Sequence, residues 1–344
     1  WSWRSLNISM EYPSLDKPKA GATRFNTDSS QLGIYGGNQW VGIQATSPFL
    51  QTGGTRGIFY SGNVSSDNRI QFVNIDTTGD AIDFGDANQA ARVAASFSSR
   101  TRCFKANGYA DGSGGRNDIE FVIFSSQGNG TDFGDSTAAR WNACGFSDAT
   151  RGLAAGGEYP GTNFFNIIDY VTMSTSGNAL DFGDLIAGNQ VGQNGAMSSP
   201  TRAVIAGGYE SGNPAVQRMQ YVTMSTLGNA SDFGDLTTGQ QRTGCCSNAV
   251  RGVMGAGSPA GNLISFVTMA TLGNAIDFGD SQSTEYGKAG MSSPTRGIWA
   301  GPDNSAEDAI EYVQLMTTGN AFDFGNLLEN RRQVSGSSNG HGGL

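Results

Sequence analysis

Gly177-Asn178-Ala179-Leu180-Asp181-Phe182-Gly183-Asp184 is one copy of a phrase that returns down almost the whole chain. Related copies span Gly79–Asp86, Gly128–Asp135, Gly228–Asp235, Gly273–Asp280 and, with a terminal Asn, Gly319–Asn326. Their Phe residues, Phe84, Phe133, Phe182, Phe233, Phe278 and Phe324, fall 49, 49, 51, 45 and 46 residues apart. A period of about 40 to 50 residues is that of propeller blades, units that bury a common core only when several are packed together. The phrase therefore predicts an all-β chain built as one main domain, although 344 residues are enough for two.

Composition agrees. With 51 Gly and only 15% charged residues, the chain reads as short strands joined by tight turns, because Gly reaches the positive φ such turns require. A net charge of −9 without a basic stripe repels phosphate backbones, which argues against nucleic acid as a partner. No apolar run nears the roughly 20 residues of a membrane-spanning helix, so membrane insertion is not expected. The start at Trp1 has no charged-then-apolar leader and predicts a start cut from a longer chain. Cys103, Cys144, Cys245 and Cys246 lack the paired spacing of a zinc site and read as small buried thiols.

Each unit reads as four strands: an inner strand a of small residues, as in Ala91–Ser98; strand b from a recurring Thr-Arg, as in Thr201–Gly208; an apolar, β-branched strand c, as in Tyr221–Thr226; and strand d within the repeated phrase. The repeated Phe should pack on the next sheet, and the repeated Asp (Asp83, Asp132, Asp181, Asp232, Asp277, Asp323) should accept N–H bonds in the following turn. Arg92, Arg140, Arg242, Lys288 and Arg331 are expected to meet the last Asp of the motif. Counting Thr-Arg starts, the Val250-Arg251 variant and the His341-Gly342 slot gives seven strand-b positions for six motifs. The count predicts a seven-bladed β-propeller over 21–344, whose last blade joins the C-terminal strands to the N-terminal Arg24–Thr27 and Gln31–Tyr35. Six blades plus an N-terminal hairpin is the alternative.

The b–c loops differ in every unit, and variable loops on a rigid scaffold are where recognition usually resides. The candidate ligand-binding residues are Tyr109 with Asp111, Glu158-Tyr159 with Phe164-Phe165, Tyr209-Glu210 with Arg218, and Tyr286 in a blade connection. Amphipathic rings beside hydrogen-bonding groups suit sugars or protein surfaces; the competing reading has the same rings folding back over the blade tops.

Catalytic readings are weaker. Asp-Phe-Gly also occurs in protein kinases, but here it repeats without a nucleotide loop or a catalytic-loop signature. His341 is the single His, so a Ser-His-Asp triad has one possible base. Gly112-Ser113-Gly114-Gly115 is a lone Gly-rich loop, and two carboxylates per unit, such as Asp83 and Asp86, make a thin calcium set. No cofactor or metal is expected. Two-carboxylate glycoside cleavage by members of Asp111, Glu158, Glu210, Glu285 and Asp303 stays open as an alternative.

At the N-terminus, Gly21-Ala22-Thr23-Arg24-Phe25-Asn26-Thr27-Asp28, followed by Tyr35-Gly36-Gly37-Asn38-Gln39-Trp40, resembles a segment common in bacteriophage fibre and appendage proteins. The rest resembles kelch-like repeats of phage virion proteins: a double Gly is present at Gly156-Gly157 and Gly207-Gly208, but the spaced Tyr and Trp of standard kelch are missing. The resemblance implies a non-enzymatic virion structural protein, a tail-fibre or capsid appendage exposed on the particle. It would be attached to other virion subunits through residues 1–20, where Trp1, Trp3, Leu6 and Pro13 stand outside the repeat, and be multimeric in the particle. A host-surface glycan or protein is the implied partner; a propeller glycosidase or lyase and a purely architectural decoration protein are the alternatives.

Overall fold

The computed structural model describes residues 18–26, 31–43, 54–60, 62, 68–159, 163–187, 195–255 and 257–344, all strand, turn or irregular, with no helix among them. The chain divides into two compact units, Trp1–Leu50 and Gln51–Leu344. In the first, Thr23–Asn26, Gln31–Tyr35 and Trp40–Ile43 form an antiparallel three-stranded sheet in chain order. The Arg24 guanidinium lies 4.3 Å over the Trp40 ring, and Tyr35 packs 5.4 Å from the same ring.

The second unit holds six four-stranded antiparallel sheets in the order a-b-c-d. The first combines Ser335–Ser338 with Arg56–Tyr60, Arg69–Asn74 and Ile82–Asp86. The second runs Ala95–Ser98, Arg102–Ala106, Gly114–Ile123, Thr131–Arg140, with the short Tyr109–Ala110 strand added to it. The third runs Cys144–Ser147, Arg151–Ala155, Ile167–Thr172, Leu180–Asp184. The fourth runs Ala196–Ser198, Arg202–Ala206, Arg218–Thr223, Ser231–Asp235. The fifth runs Cys245–Ser247, Arg251–Met254, Leu263–Thr268, Ile276–Asp280. The sixth runs Ala289–Ser292, Arg296–Ala300, Glu307–Gln314, Phe322–Arg331.

The expected sharing of a blade by both termini is corrected. Ser335–Ser338 pairs with Arg56–Tyr60, in the register Ser335↔Tyr60 to Ser338↔Gly57, and among the described residues the N-terminal strands pair only with one another. Among the described residues the first repeat supplies strands b, c and d, and the C-terminal strand fills its inner edge, satisfying the open N–H and C=O groups there. The His341-Gly342 slot is no strand b; it lies in the turn that follows Ser338.

One interface recurs between sheets. The Arg that opens strand b donates through Nη1 to a backbone carbonyl of the following sheet: Arg102 to Met173 (3.0 Å), Arg151 to Met224 (3.1 Å), Arg202 to Met269 (3.2 Å), Arg251 to Leu315 (3.0 Å), and Arg56 to Phe124. Arg296 of the sixth sheet makes the same bond to Ile75 of the first, at 3.0 Å. Each of these guanidiniums also lies over an aromatic ring of its own strand c, at 4.2 to 5.4 Å, as with Arg251 over Phe266 and Arg151 over Tyr170. That ring meets the motif Phe edge-on, as in Phe121–Phe133 at 6.0 Å and 88°. A cation–π contact contributes about 0.5–1 kcal/mol and an edge-to-face pair about 0.5–1.5 kcal/mol beyond burial. As expected, the motif Phe is core: Phe84 clusters with Ile58, Tyr60 and Ile70 of its own sheet and with Cys103 and Val122 of the next.

The repeated phrase forms the outer seam. Gly128 N–H donates to the Phe84 carbonyl (2.9 Å), and Asp86 N–H donates to Asn129 Oδ1 (3.0 Å). The pattern repeats at Asn178, Asn229, Asn274 and Asn320. At the remaining seam the types are exchanged: Asp80 Oδ1 accepts from Asn326 N–H at 2.9 Å, so no two carboxylates meet. The Gly of Asp-Phe-Gly is required here. Gly134 has φ +149°, and a Cβ on it would lie 2.4 Å from the Gly177 carbonyl oxygen. The expected role of Asp83 and its equivalents is corrected: Asp83 is exposed, and its side chain accepts no hydrogen bond among the described residues.

Strand c carries a buried polar position that accepts from the link leaving the preceding sheet. Gln71 bonds Leu328 N–H, Glu120 bonds Asn88 N–H, Gln220 bonds Ile186 N–H and Glu311 bonds Gln282 N–H. Where the position is acidic, a buried cation accompanies it: Lys105–Glu120 (2.9 Å), Arg140–Asp169 (2.9 Å) and Lys288–Glu311 (2.8 Å). An unpaired buried charge is strongly destabilising, so the two residues act as a unit. These pairs correct the expectation that Arg140 and Lys288 meet the last Asp of the motif. Arg92, Arg242 and Arg331 instead pair with Asp111, Asp303 and Glu329.

The inner strands are small because they converge. A Cβ on Gly145 would lie 2.1 Å from the Ser96 carbonyl oxygen. Their last residues, Ser98, Ser147, Ser198, Ser247, Ser292 and Ser338, bond from sheet to sheet: Ser147 N–H to Ser198 Oγ (3.3 Å), Ser198 N–H to Ser247 Oγ (3.0 Å), Ser292 Oγ–H to the Ser247 carbonyl (2.7 Å), and Ser98 Oγ–H to the Ser338 carbonyl (2.7 Å). All four cysteines are free and buried, and desolvation raises the Cys144 thiol to about 12.

Replacing Gly134 with Ala forces the two sheets apart, whereas Gly128, at φ +159°, has open space where a Cβ would go. Gly134→Ala is expected to cost about 3 kcal/mol and Gly128→Ala about 1 kcal/mol. Urea unfolding midpoints compare the two; equal losses would contradict the close-approach account.

Candidate functional site

The loops after strand b and the links before strand a meet at one end of the sheets. There Tyr109 pairs edge-to-face with Trp141 (5.2 Å, 83°), and Trp141 packs against Tyr159 (6.0 Å). The Arg92 guanidinium covers Tyr109 at 4.7 Å and pairs with Asp111 at 3.3 Å. Backbone bridges Arg92↔Tyr109 and Trp141↔Glu158 fix each link to the neighbouring loop. Glu158 Oε1 accepts from Trp141 Nε1–H (2.7 Å) and Asn142 Nδ2–H (2.8 Å). The row is thus held by its own hydrogen bonds, with Tyr159 42% exposed at its end.

Phe164 continues the row. Glu158–Tyr159 pairs with Asn163–Phe164, and Phe164 packs 5.2 Å from Tyr209 of the fourth sheet. Beside Tyr209, Glu210 pairs with Arg218. The structure therefore brings together Tyr109, Asp111, Glu158, Tyr159, Phe164, Tyr209, Glu210 and Arg218 across three neighbouring sheets. Phe165 contributes its N–H to the Gly157 carbonyl. Tyr286 belongs to a different link, where its carbonyl accepts from Asp303 N–H at 2.7 Å, and its ring packs against none of the others among the described residues. The b–c loop of the first sheet lies largely outside the described residues.

Sequence reading missed Trp141 and Asn142, which lie in a connection between sheets rather than a loop; the signal was a single Trp in a link of otherwise small and polar residues. Asn142 adopts φ +55°, a left-handed conformation that Asn tolerates better than most residues.

The five carboxylates weighed for glycoside cleavage are each engaged separately: Asp111 by Arg92, Glu158 by Trp141 and Asn142, Glu210 by Arg218, Glu285 by Ser305 Oγ (2.9 Å), and Asp303 by Arg242 and Gln333. Among the described residues no group of three or more His, Cys, Asp or Glu is placed to hold a metal ion, and no helix is long and apolar enough to cross a membrane.

His341 sits among the inner-strand serines, its Nε2 3.0 Å from Ser147 Oγ and 3.1 Å from the Ser98 carbonyl. Gly343 N–H donates to Nδ1 at 3.1 Å, which assigns the proton to Nε2. An imidazole whose Nε2 already carries the proton cannot take one from Ser147, so the triad reading ends here. Burial lowers the His341 pKa to about 4, against a raising effect from the Ser98 carbonyl and Asp148; Arg100 lowers it further.

No family model matches the chain, and no curated protein matches it.

Because the folded-state pKa lies below 6.5, the native state resists protonation that the unfolded chain accepts. Stability from this group is fully present above pH 6.5 and declines as pH falls towards 4, by about 1.4 kcal/mol per unit. Difference curves of unfolding midpoint against pH, wild type minus His341→Gln, are expected to slope downward on acidification in this window; a flat difference would contradict the buried neutral His.

Proposed function

We propose that the six sheets close as a six-bladed β-propeller completed by the C-terminal strand, and that the chain is a non-enzymatic structural protein of a phage virion, displayed on a tail-fibre or capsid appendage. The cyclic Arg-to-carbonyl series, in which Arg296 of the sixth sheet reaches Ile75 of the first, is the observation that carries the ring. Support for the virion reading comes from the Arg24-Phe25-Asn26-Thr27-Asp28 segment and its likeness to phage fibre proteins. Of residues 1–20, assigned to attachment, 1–17 lie outside the described residues.

In this reading the loop end of the sheets contacts the host surface or another virion subunit. The row from Tyr109 through Trp141 to Tyr159 supports it: the rings are held rigid by Glu158 and Arg92, so little conformational entropy is lost on contact. The separate engagement of the five carboxylates favours display over cleavage. Weak single contacts on a particle gain from multivalency.

The isolated protein, tested on an array of bacterial surface polysaccharides, is expected to bind at least one without releasing reducing sugar, and Tyr159→Ala to weaken that binding about tenfold. Release of sugar would replace the reading with a glycosidase. Absence of binding to the array and to intact host cells would leave architecture as the function.

A further inference from the structure

We propose that Gly340–Leu344 is a strap, which seals a cavity between the inner strands and can be detached without undoing the sheets. Inner-strand residues of all six sheets line this cavity of about 40 Å³, from Ser96 of the second sheet to Cys245 of the fifth and Gly336 of the first, and His341 stands on its wall. Gly340, Gly342, Gly343 and Leu344 are buried, although none of them belongs to a strand.

The segment leaves from a fixed point. Asn339 N–H donates to the Arg56 carbonyl (3.1 Å) and Asn339 Oδ1 accepts from Arg56 N–H (3.0 Å), so the residue after the first sheet's inner strand is tied down. Beyond it the backbone presses on the ends of other inner strands. A Cβ on Gly342 would lie 2.3 Å from the Ser198 carbonyl oxygen and 2.4 Å from that of Asn248, and one on Gly343 would lie 1.9 Å from that of Ser147. Two consecutive glycines thus meet the third, fourth and fifth sheets where no side chain fits. His341 reaches the second sheet, its Nε2–H lying between the Ser98 carbonyl (3.1 Å) and Ser147 Oγ (3.0 Å). Its Nδ1 takes Gly343 N–H and its carbonyl takes Leu344 N–H, each at 3.1 Å, which folds the segment back on itself.

The sheets hold one another at this level without the strap. Ser98 Oγ–H donates to the Ser338 carbonyl (2.7 Å), Ser147 to Ser98 (2.7 Å), Ser247 to Ser198 (2.8 Å), Ser292 to Ser247 (2.7 Å) and Ser338 to Ser292. The step from Ser198 to the Ser147 carbonyl is not made in this way among the described residues, and that carbonyl is the one Gly343 crowds. A segment laid over a layer that is already bonded can open locally while the layer stays, at less than the free energy of global unfolding.

The thiols report on the cavity. Cys245 lines it, whereas Cys103 and Cys144 do not, and buried thiols are inert until they are exposed. Two variants detach the strap by different means: deletion of Gly340–Leu344, which keeps Ser335–Ser338, and Gly343→Ala, which drives a methyl group against the Ser147 carbonyl. The whole protein and both variants are treated with the small reagent methyl methanethiosulfonate at neutral pH, and the labelled cysteines are located by peptide mass. Cys245 is expected to react at least tenfold faster in both variants than in the wild type, with Cys103 and Cys144 at their wild-type rates. An unchanged Cys245 rate in either variant would show that the segment seals nothing, and acceleration of all four thiols together would show that the sheets come apart with it; each result would overturn the proposal. None of these outcomes depends on the loop-end aromatic row, so the two readings fail separately.

Discussion

The guanidinium that leaves one sheet to hydrogen-bond a carbonyl of the next is the contact on which the rest of this structure depends. A four-stranded sheet with two apolar faces leaves both exposed to water unless other sheets cover them. Arg102 lies over Phe121, which meets Phe133 edge-on, while its Nη1 reaches Met173 in the third sheet. One side chain thereby couples core packing within a sheet to its spacing from the neighbour. The contact is made once from each of the six sheets, the last copy running from Arg296 to Ile75.

The rigid interface explains why the seams tolerate so little. Gly134 and its equivalents sit where two backbones approach within a Cβ of one another, and Gly145 and Gly290 do the same at the inner strands. It also explains how polar variety is accommodated. Gln71 and Gln220 fill the buried strand-c position without a counter-charge, whereas Glu120, Asp169 and Glu311 come with Lys105, Arg140 and Lys288. The scaffold is therefore separable from the loops that carry Tyr109, Glu158 and Tyr209, because those loops lie beyond these interfaces.

Much of this was legible in the sequence. The motif Phe, the small inner strands, the buried thiols and the Thr-Arg start of strand b follow from period and residue type. The pairing of the ends did not, because His341-Gly342 matches a strand-b start by position alone, while the pairing itself is a long-range contact between Ser335–Ser338 and Arg56–Tyr60. The clue was present nonetheless: the two motifs that depart from the pattern, Asp80 in the first and Asn326 in the last, are each other's partners. The aromatic row was half legible. Tyr109, Glu158 and Tyr159 stand out as loop residues, but Trp141 is joined to them only by the bridge between a link and the next loop, a long-range pairing that no local pattern encodes.

Face-on averaged electron images of the isolated protein test the account most directly. Six equal sectors around a closed circle are predicted. Seven sectors, or an open arc with a gap between the sheet containing Arg56–Tyr60 and the sheet containing Arg296–Ala300, would contradict it.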